Sequence, residues 1–155
     1  MRALLQRVTR GAVFVDGKVE GEIGPGLVIL LGIAKGDGPE QARQLAEKCV
    51  QLRIFADEQG AFNRSLLQSG GGVLVVSQFT LYGDTRRGRR PGFEAAARPE
   101  VASPLYELFI AELKKHPIQV AQGVFGAMMQ VEIHNDGPAT FLLESPVPCA
   151  PEQVA

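Results

Sequence analysis

The pattern of apolar and polar positions predicts that the first third of the chain is rich in β-strands. Residues 12–15 and 18–23 are strand-like runs on either side of Asp16 and Gly17. An Asp-Gly pair between two such runs is a strong signal for a two-residue hairpin. Residues 27–33 are apolar without alternation, so we predict a third strand that is covered on both faces.

Two later segments carry apolar residues at helical spacing. The first begins near Pro39, a residue type that suits the first helical position, and its apolar stripe includes Cys49. Because a free cysteine behaves as a small hydrophobe, we interpret Cys49 as a core residue. The second helix is predicted over residues 104–116, where His116 would favour the helix dipole and cap carbonyl groups. A catalytic His116 is the alternative.

The rest of the pattern completes a single α/β domain. Residues 52–55 and 73–79 predict short strands, and residues 129–134 and 140–143 predict two last strands joined by a turn. We expect one domain over residues 1–145 and a loose, proline-rich tail over residues 146–155. The predicted fold class is α/β, with a mostly antiparallel or mixed sheet, or a barrel, and two main helices.

Composition supports a folded domain and restricts how it could bind nucleic acid. Of 155 residues, 45 % are hydrophobic and 21 % are charged, which suits one domain with a real core. The formal net charge is −1, so nucleic-acid binding would require a local basic patch. The densest one lies in a polar loop over residues 83–92, which we expect to be mobile, and consists of Arg86, Arg87, Arg89 and Arg90. These arginines would contact phosphates; a solvated loop is the alternative.

The expected compartment is the cytoplasm. The first residues become polar too early for an export segment, and no apolar run approaches the roughly 20 residues that span a bilayer. The two cysteines do not form a disulfide framework. We therefore expect a protein of the reducing cytosol without a membrane partner.

Familiar catalytic motifs are missing from the sequence. It contains no zinc spacing, phosphate-binding loop, dinucleotide fingerprint or Gly-x-Ser-x-Gly elbow. We accordingly expect no metal and no cofactor. His134 shares the face of Glu132 in an alternating strand, which we interpret as a solvated face. A serine–histidine–acid triad stays open as an alternative, because its members need not be close in sequence.

Two segments stand out against this background. Ser-Gln-Phe-Thr-Leu at residues 77–81 follows a strongly apolar strand. It is either an ordinary polar strand end or the lining of a pocket, with free backbone N–H groups that could face a ligand. Asn-Asp-Gly-Pro-Ala-Thr at residues 135–140 is typical of a turn, and its Gly-Pro bond is compatible with either peptide isomer.

Taken together, the segments resemble the D-aminoacyl-tRNA deacylase family. The resemblance runs from residue 1 to about residue 144 and rests on several motifs. They are Met-Arg-Ala-Leu-Leu-Gln-Arg-Val at 1–8, Gly-Glu-Ile-Gly-Pro-Gly-Leu at 21–27, Leu-Arg-Ile-Phe at 52–55, Ser-Gln-Phe-Thr-Leu-Tyr at 77–82, Gly-Arg-Arg-Pro at 88–91 and Asn-Asp-Gly-Pro-Ala-Thr at 135–140. The pairing of Ser-Gln-Phe-Thr with Asn-x-Gly-Pro is specific to this family. Met128 and Ala139 depart from it, since the family usually has an acidic residue and a valine there.

The resemblance implies a homodimer that hydrolyses the ester of D-aminoacyl-tRNA. The peptide between Gly137 and Pro138 would be cis and reach into the partner's pocket, and Arg7 would steady it. The pocket floor and catalytic segment would be Ser77, Gln78, Phe79 and Thr80. Contacts with the terminal adenosine or the tRNA would come from Phe125, Met129 and the four arginines of the basic loop.

Alternatives remain both for the chemical mechanism and for the function as a whole. Backbone N–H groups of Phe79 and Thr80 would stabilise charge on the substrate carbonyl, and a ribose hydroxyl would help to activate water. In the rival mechanism Thr80 is a covalent nucleophile. Because glycine has no side chain to exclude, glycyl-tRNA is a further expected substrate. The main alternative function is a non-catalytic, dimeric nucleic-acid-binding module, and another is an L-aminoacyl-tRNA substrate.

Overall fold

A computed structural model describes residues 1–145, and the tail predicted at 146–155 lies outside the described residues. The strands are β1 (Arg2–Val15), β2 (Lys18–Ile23), β3 (Gly26–Gly32), β4 (Phe55–Ala56), β5 (Phe62–Arg64), β6 (Gly72–Ser77), β7 (Val120–Gln122) and β8 (Gln130–Glu144). The helices are α1 (Pro39–Gln51), α2 (Leu66–Ser69) and α3 (Pro99–Leu113), together with a 3₁₀ helix at Phe79–Tyr82.

The main sheet is mixed and nearly closed into a barrel. The long strand β1 pairs antiparallel with β2, β3 and β8, while the β3–β6 and β6–β7 pairs are parallel. The far edge returns towards β2, where the Gln119 side chain donates a hydrogen bond to the Glu22 carbonyl at 3.2 Å. With α1 and α3 as the two main helices, the predicted fold class is confirmed.

The first hairpin forms where the sequence predicts it. Asp16 and Gly17 have φ values of 50° and 76°, which is the left-handed pair that a tight hairpin turn requires. Strand β1, however, begins at Arg2 rather than at Ala12. Its first half is held by pairing on both edges, with β3 on one side and β8 on the other.

Strands β3 and β6 separate two hydrophobic cores, because successive side chains point to opposite faces. Val73 and Val75 pack towards the helices, whereas Leu74 and Val76 fill the barrel interior. The Tyr106 hydroxyl of α3 donates to the Val75 carbonyl at 3.0 Å and satisfies its polar end within the helix-side core. The prediction that residues 27–33 are covered on both faces is thereby confirmed.

The buried residues of the two main helices agree with the sequence pattern, but not all of the helix boundaries do. Helix α1 begins at Pro39, as predicted, and Cys49 is fully buried in the core. Helix α3 begins at Pro99, five residues before the predicted start, and ends at Leu113. His116 lies beyond that end, where its Nε2 is 2.8 Å from Glu47 Oε2 of α1. It therefore joins two helices instead of capping one.

The final two predicted strands are one strand, β8, which pairs with β1 on both sides of residues 135–139. Four of these residues, 136–139, loop out of the register, since Asn135 pairs with Val8 and Thr140 pairs with Gln6. We call residues 135–139 the bulge loop. The predicted strand at 52–55 is also reduced to β4, which pairs only with β5 in a small separate sheet. No helix within residues 1–145 has the length and apolarity needed to cross a membrane.

Candidate active site

A cavity of about 570 Å³ opens where β6 ends beside β3. Parallel pairing places Ser77 opposite Leu31, so the chain leaves the sheet at this edge and continues into the 3₁₀ helix. The cavity walls are mostly apolar and come from four parts of the chain. The lining includes Leu31, Ile33, Val76, Ser77, Gln78, Phe79, Phe93, Ala96, Ala97, Arg98, Pro99, Ala102, Phe125, Gly126, Ala127, Met129 and Val131.

The 3₁₀ helix begins at the cavity, with Phe79 in the lining and Thr80 next to it, outside the lining. Its first hydrogen bond runs from the Leu81 N–H to the Gln78 carbonyl at 3.2 Å, so Phe79 and Thr80 precede the first bonded amide. Neither of these two N–H groups donates a hydrogen bond among residues 1–145. Uncommitted amide donors at the start of a helical turn can bind an anionic oxygen.

Gly32 and Arg2 fix the position of this helix. A Cβ at Gly32 would lie 3.1 Å from both the Gln78 carbonyl oxygen and the Leu81 Cβ, so a larger residue would crowd the helix where it packs against the end of β3. The Arg2 Nη1 donates to the Leu81 carbonyl at 2.8 Å. Its guanidinium also lies 4.6 Å from the centre of the Tyr82 ring, and burial of that ring raises the pKa of Tyr82 to about 12.

Within residues 1–145, the side chains of residues 77–80 have no basic hydrogen-bond partner. The Gln78 amide donates to the Thr80 hydroxyl, and Thr80 itself is exposed. Among the cavity-lining residues of the described chain, Arg98 alone has a titratable side chain. The two histidines lie elsewhere, with His116 against Glu47 and His134 exposed beside Glu132.

The lining also contains Phe125 and Met129, for which the family resemblance implies contacts with adenosine or tRNA. Phe125 packs on Tyr106 with ring centres 5.7 Å apart. Phe79, which is 58 % exposed, meets the ring of Phe93 edge-on with ring centres 5.1 Å apart, and both residues line the cavity. The cavity therefore has aromatic walls that could enclose a flat, uncharged group. Met128 is 94 % exposed and does not line the cavity.

The bulge loop lies outside this cavity in the same chain, because neither Gly137 nor Pro138 contributes to its lining. Both residues are exposed, and the peptide bond between them is cis. Arg7 holds the loop through Nε, which donates to the Asp136 carbonyl at 3.2 Å, while its Nη1 donates to the Ile54 carbonyl at 2.8 Å.

Asn135 closes the base of the bulge loop. Its side-chain amide donates to the Arg7 carbonyl at 2.9 Å and to the Ala139 carbonyl at 3.4 Å. The loop thus projects from two fixed ends, one held by the Asn135 side chain and the other by the Arg7 guanidinium.

The basic loop is closed at its base by paired backbone bonds between Asp84 and Gly92, of 2.7 and 2.9 Å. Within this loop the Arg86 guanidinium is paired with Asp84, because its Nη2 donates a hydrogen bond to Asp84 Oδ2 at 2.8 Å. These hydrogen bonds from Arg86 lower the pKa of Asp84 to about 2 and raise the pKa of Arg86. Arg87, Arg89 and Arg90 are exposed, so three of the four predicted arginines are available to a partner.

Sequence reasoning missed several residues that shape the cavity. Arg2, Phe93, Ala102 and Arg98 come from three separate elements and carry no shared motif. The apolar stripe of α3 gave the only available signal, since Ala102 lies on its buried face. Of the predicted site residues, the cavity brings together Ser77, Gln78, Phe79, Phe125 and Met129. A second group lies at the bulge loop and consists of Arg7, Gly137 and Pro138.

Fold and cavity together define a single-domain α/β protein whose site offers backbone donors in place of a catalytic histidine or carboxylate. Such a site suits hydrolysis of an ester that is already activated. Comparisons with known proteins identify the family. A family model described as D-Tyr-tRNA(Tyr) deacylase matches residues 4–144.

Relatives agree over nearly the whole length. A protein of Roseiflexus castenholzii named D-aminoacyl-tRNA deacylase is 60 % identical over 147 residues, which cover 95 % of this chain and 94 % of that protein. One of the same name from Chloroflexus aurantiacus is 59 % identical over 145 residues, covering 94 % and 91 %. The chain therefore belongs to the D-Tyr-tRNA(Tyr) deacylase family. The predicted family and the predicted enzyme class are confirmed.

Solved structures support the same architecture. The structure titled c-Myc DNA Unwinding Element Binding Protein has a TM-score of 0.89 and 40 % identity, and the match covers 94 % of this chain and 99 % of that one. A structure titled as a probable eukaryotic D-amino acid tRNA deacylase has a TM-score of 0.78 at 19 % identity, with 92 % and 97 % covered. At that identity the second match supports the fold alone.

Proposed function

We propose that this enzyme removes D-amino acids from tRNA in the cytoplasm, working as a homodimer, and that it also cleaves glycyl-tRNA. Family membership supports the class of reaction. The observation that carries the mechanism is the pair of N–H groups at Phe79, which lines the mostly apolar cavity, and at the adjacent Thr80; neither donates a hydrogen bond within residues 1–145.

In the proposed reaction the substrate ester places its carbonyl oxygen between these two donors. Water attacks the carbonyl carbon, and the developing negative charge is stabilised by the N–H groups; one such donor can contribute about 3 kcal/mol. The amino acid leaves as its carboxylate and the ribose oxygen takes a proton. The neighbouring ribose hydroxyl orients or activates the water, which accounts for a lining without histidine or carboxylate.

The rival mechanism makes Thr80 a nucleophile, and a threonine hydroxyl then needs an activating base. In the described chain the Thr80 hydroxyl accepts a hydrogen bond from the Gln78 side-chain amide, which is a donor and not a base. The test is Thr80→Ala, with Thr80→Ser as the matched control, in deacylation of D-tyrosyl-tRNA. Our mechanism predicts that Thr80→Ala stays within about tenfold of the wild type. A loss of roughly a thousandfold in a folded protein would establish the nucleophile instead.

Selectivity is proposed to come from a second copy of the chain. The bulge loop lies outside its own cavity, and apolar side chains around it are exposed, including Phe62 at 50 % and Leu142 at 54 %. Phe62 also lies under the Arg7 guanidinium, 5.3 Å from the centre of its ring. In the dimer the loop of one subunit closes the partner's cavity, and the carbonyls of Gly137 and Pro138 occupy the space that an L side chain needs.

Two measurements test this arrangement. Sedimentation should find a dimer at micromolar concentration, and a stable monomer would refute the exclusion model. A panel of D-tyrosyl-, L-tyrosyl- and glycyl-tRNA should give cleavage of the first and third only. Arg7→Met should then raise cleavage of the L substrate relative to the D substrate, because Asp136 loses the guanidinium that holds it. Cleavage of the L substrate by the wild type would favour the L-aminoacyl alternative.

The exposed arginines of the basic loop are proposed to contact tRNA phosphates. Arg87→Met with Arg89→Met should weaken tRNA binding and reduce its salt dependence, with an unchanged D/L ratio. A changed ratio would mean that the loop shapes the cavity. A binding module without catalysis is the second candidate, favoured by these exposed arginines and by the name of the 40 % identical DNA-binding relative. Tight tRNA binding without release of the amino acid would favour it.

A further inference from the structure

Arg98 occupies a fixed backbone position on the rim of the cavity. The preceding residue, Ala97, donates its N–H to the Ile33 carbonyl at the end of the barrel wall, at 2.9 Å. The Arg98 carbonyl in turn accepts from Val101 and Ala102 in the first turn of α3, at 3.0 and 2.8 Å. Arg98, an exposed residue of the cavity lining, thus has a backbone that is held on both sides.

Among residues 1–145, no opposite charge is paired with Arg98. The other lining residues are apolar or neutral. Within residues 1–145 no carboxylate lies within 4.0 Å of its guanidinium and no hydrogen bond from that group is found. Arg86 gives the contrast, since its guanidinium is engaged by both oxygens of Asp84. An arginine kept at a cavity without a carboxylate partner is suited to an anionic ligand.

The proposed substrate has charges of both signs, and this decides which end faces Arg98. The esterified amino acid carries an ammonium group, which the guanidinium repels. The terminal nucleoside is joined to the rest of the tRNA by a phosphodiester, which an arginine binds through paired N–H donors. We propose that Arg98 binds the phosphate on the 5′ side of the terminal adenosine and so sets the direction in which the ester enters. This inference rests on the proposed function for the identity of the substrate.

The test compares ligands with and without that phosphate. D-Tyrosyl esters of adenosine and of adenosine 5′-monophosphate are assayed with the wild type and with Arg98→Met. The wild type should favour the phosphorylated ester by roughly tenfold or more in kcat/KM, and Arg98→Met should lower this ratio to about one, whatever its rate on the phosphate-free ester. Arg43→Met, on α1 and outside the cavity lining, is the matched control for loss of one positive charge and should keep the preference.

Binding separates failure of this inference from failure of the proposed function. Titration of the wild type with adenosine 5′-monophosphate and with adenosine requires no hydrolysis, and the phosphate should strengthen binding only where Arg98 is present. Equal losses for both ligands in Arg98→Met would overturn the inference, since the arginine would then only shape the cavity. If the wild type cleaves neither ester nor D-tyrosyl-tRNA, the proposed function fails, and the nucleotide titration still decides whether Arg98 binds phosphate.

Discussion

Replacing Arg2 with methionine should slow catalysis without weakening substrate binding. Arg2 lies outside the cavity lining and reaches the 3₁₀ helix through the Leu81 carbonyl, at 2.8 Å, and the Tyr82 ring, at 4.6 Å. Methionine keeps part of the apolar stem of the side chain but neither contact. The free N–H groups of Phe79 and Thr80 belong to the same short helix, so they would lose their fixed direction.

The magnitude follows from the contacts that are removed. A hydrogen bond from a charged donor contributes about 1.5–3 kcal/mol and an exposed cation–π contact about 0.5–1 kcal/mol. The ion pair with Glu144, at 2.9 Å, joins side chains that are 36 % and 53 % exposed, so it adds at most about 1 kcal/mol. A partly misdirected donor costs a fraction of the roughly 3 kcal/mol that one such donor supplies. We expect kcat to fall about 10- to 100-fold.

The assay is steady-state deacylation of D-tyrosyl-tRNA, with urea unfolding in parallel. Glu144→Gln is the matched control, because it removes the ion pair and leaves the Leu81 contact in place. It should keep kcat within about twofold. The reasoning is refuted if Arg2→Met keeps the wild-type kcat, or if Glu144→Gln loses as much activity as Arg2→Met does.

Three further predictions concern the fold and its titratable groups. Phe109→Ala, at a fully buried core position, should lower the free energy of unfolding by about 3–5 kcal/mol in urea; a cost below about 1 kcal/mol would contradict this packing. Hydrogen bonds from Arg86 lower the pKa of Asp84 to about 2. The Arg86–Asp84 ion pair should therefore persist below the usual carboxyl pKa and be lost only as the pH falls through about 2, which NMR titration of the carboxyl group can follow. A titration midpoint at the usual carboxyl pKa would exclude the ion pair. Burial raises the pKa of Cys49 to about 12, so in a Cys149→Ser background the native protein should not react with a thiol reagent at pH 8 until it is unfolded; rapid native labelling would argue against burial.

The sequence correctly predicted those elements that can be recognised from a few consecutive residues. The Asp16-Gly17 turn needs two left-handed residues, and both have the required φ values. The start of α1 at Pro39 and the doubly covered strand β3 are of the same kind. In each case the signal that allowed the prediction lies within the segment itself.

Elements that depend on distant partners could not be located in this way. Residues 135–138 have the composition of a turn, yet both flanks of the bulge loop pair with β1 and the chain does not reverse. Turn composition predicts a local break but does not identify the neighbour on either side. The cavity shows the same limit, because Ser77, Arg98 and Phe125 meet only after the sheet and α3 are assembled.

Strand β1 gives the two halves of the site a common frame. Arg2 near its start holds the 3₁₀ helix, and Arg7 five positions later holds the bulge loop. At about 3.3 Å per residue, an extended strand keeps these two anchors roughly 17 Å apart. In the proposed dimer, strand β1 therefore sets the distance between the 3₁₀ helix of a subunit's own cavity and the bulge loop that closes the partner's cavity. An insertion or deletion between them would disturb rate and stereochemical fidelity together, so these two properties are expected to be constrained jointly during evolution.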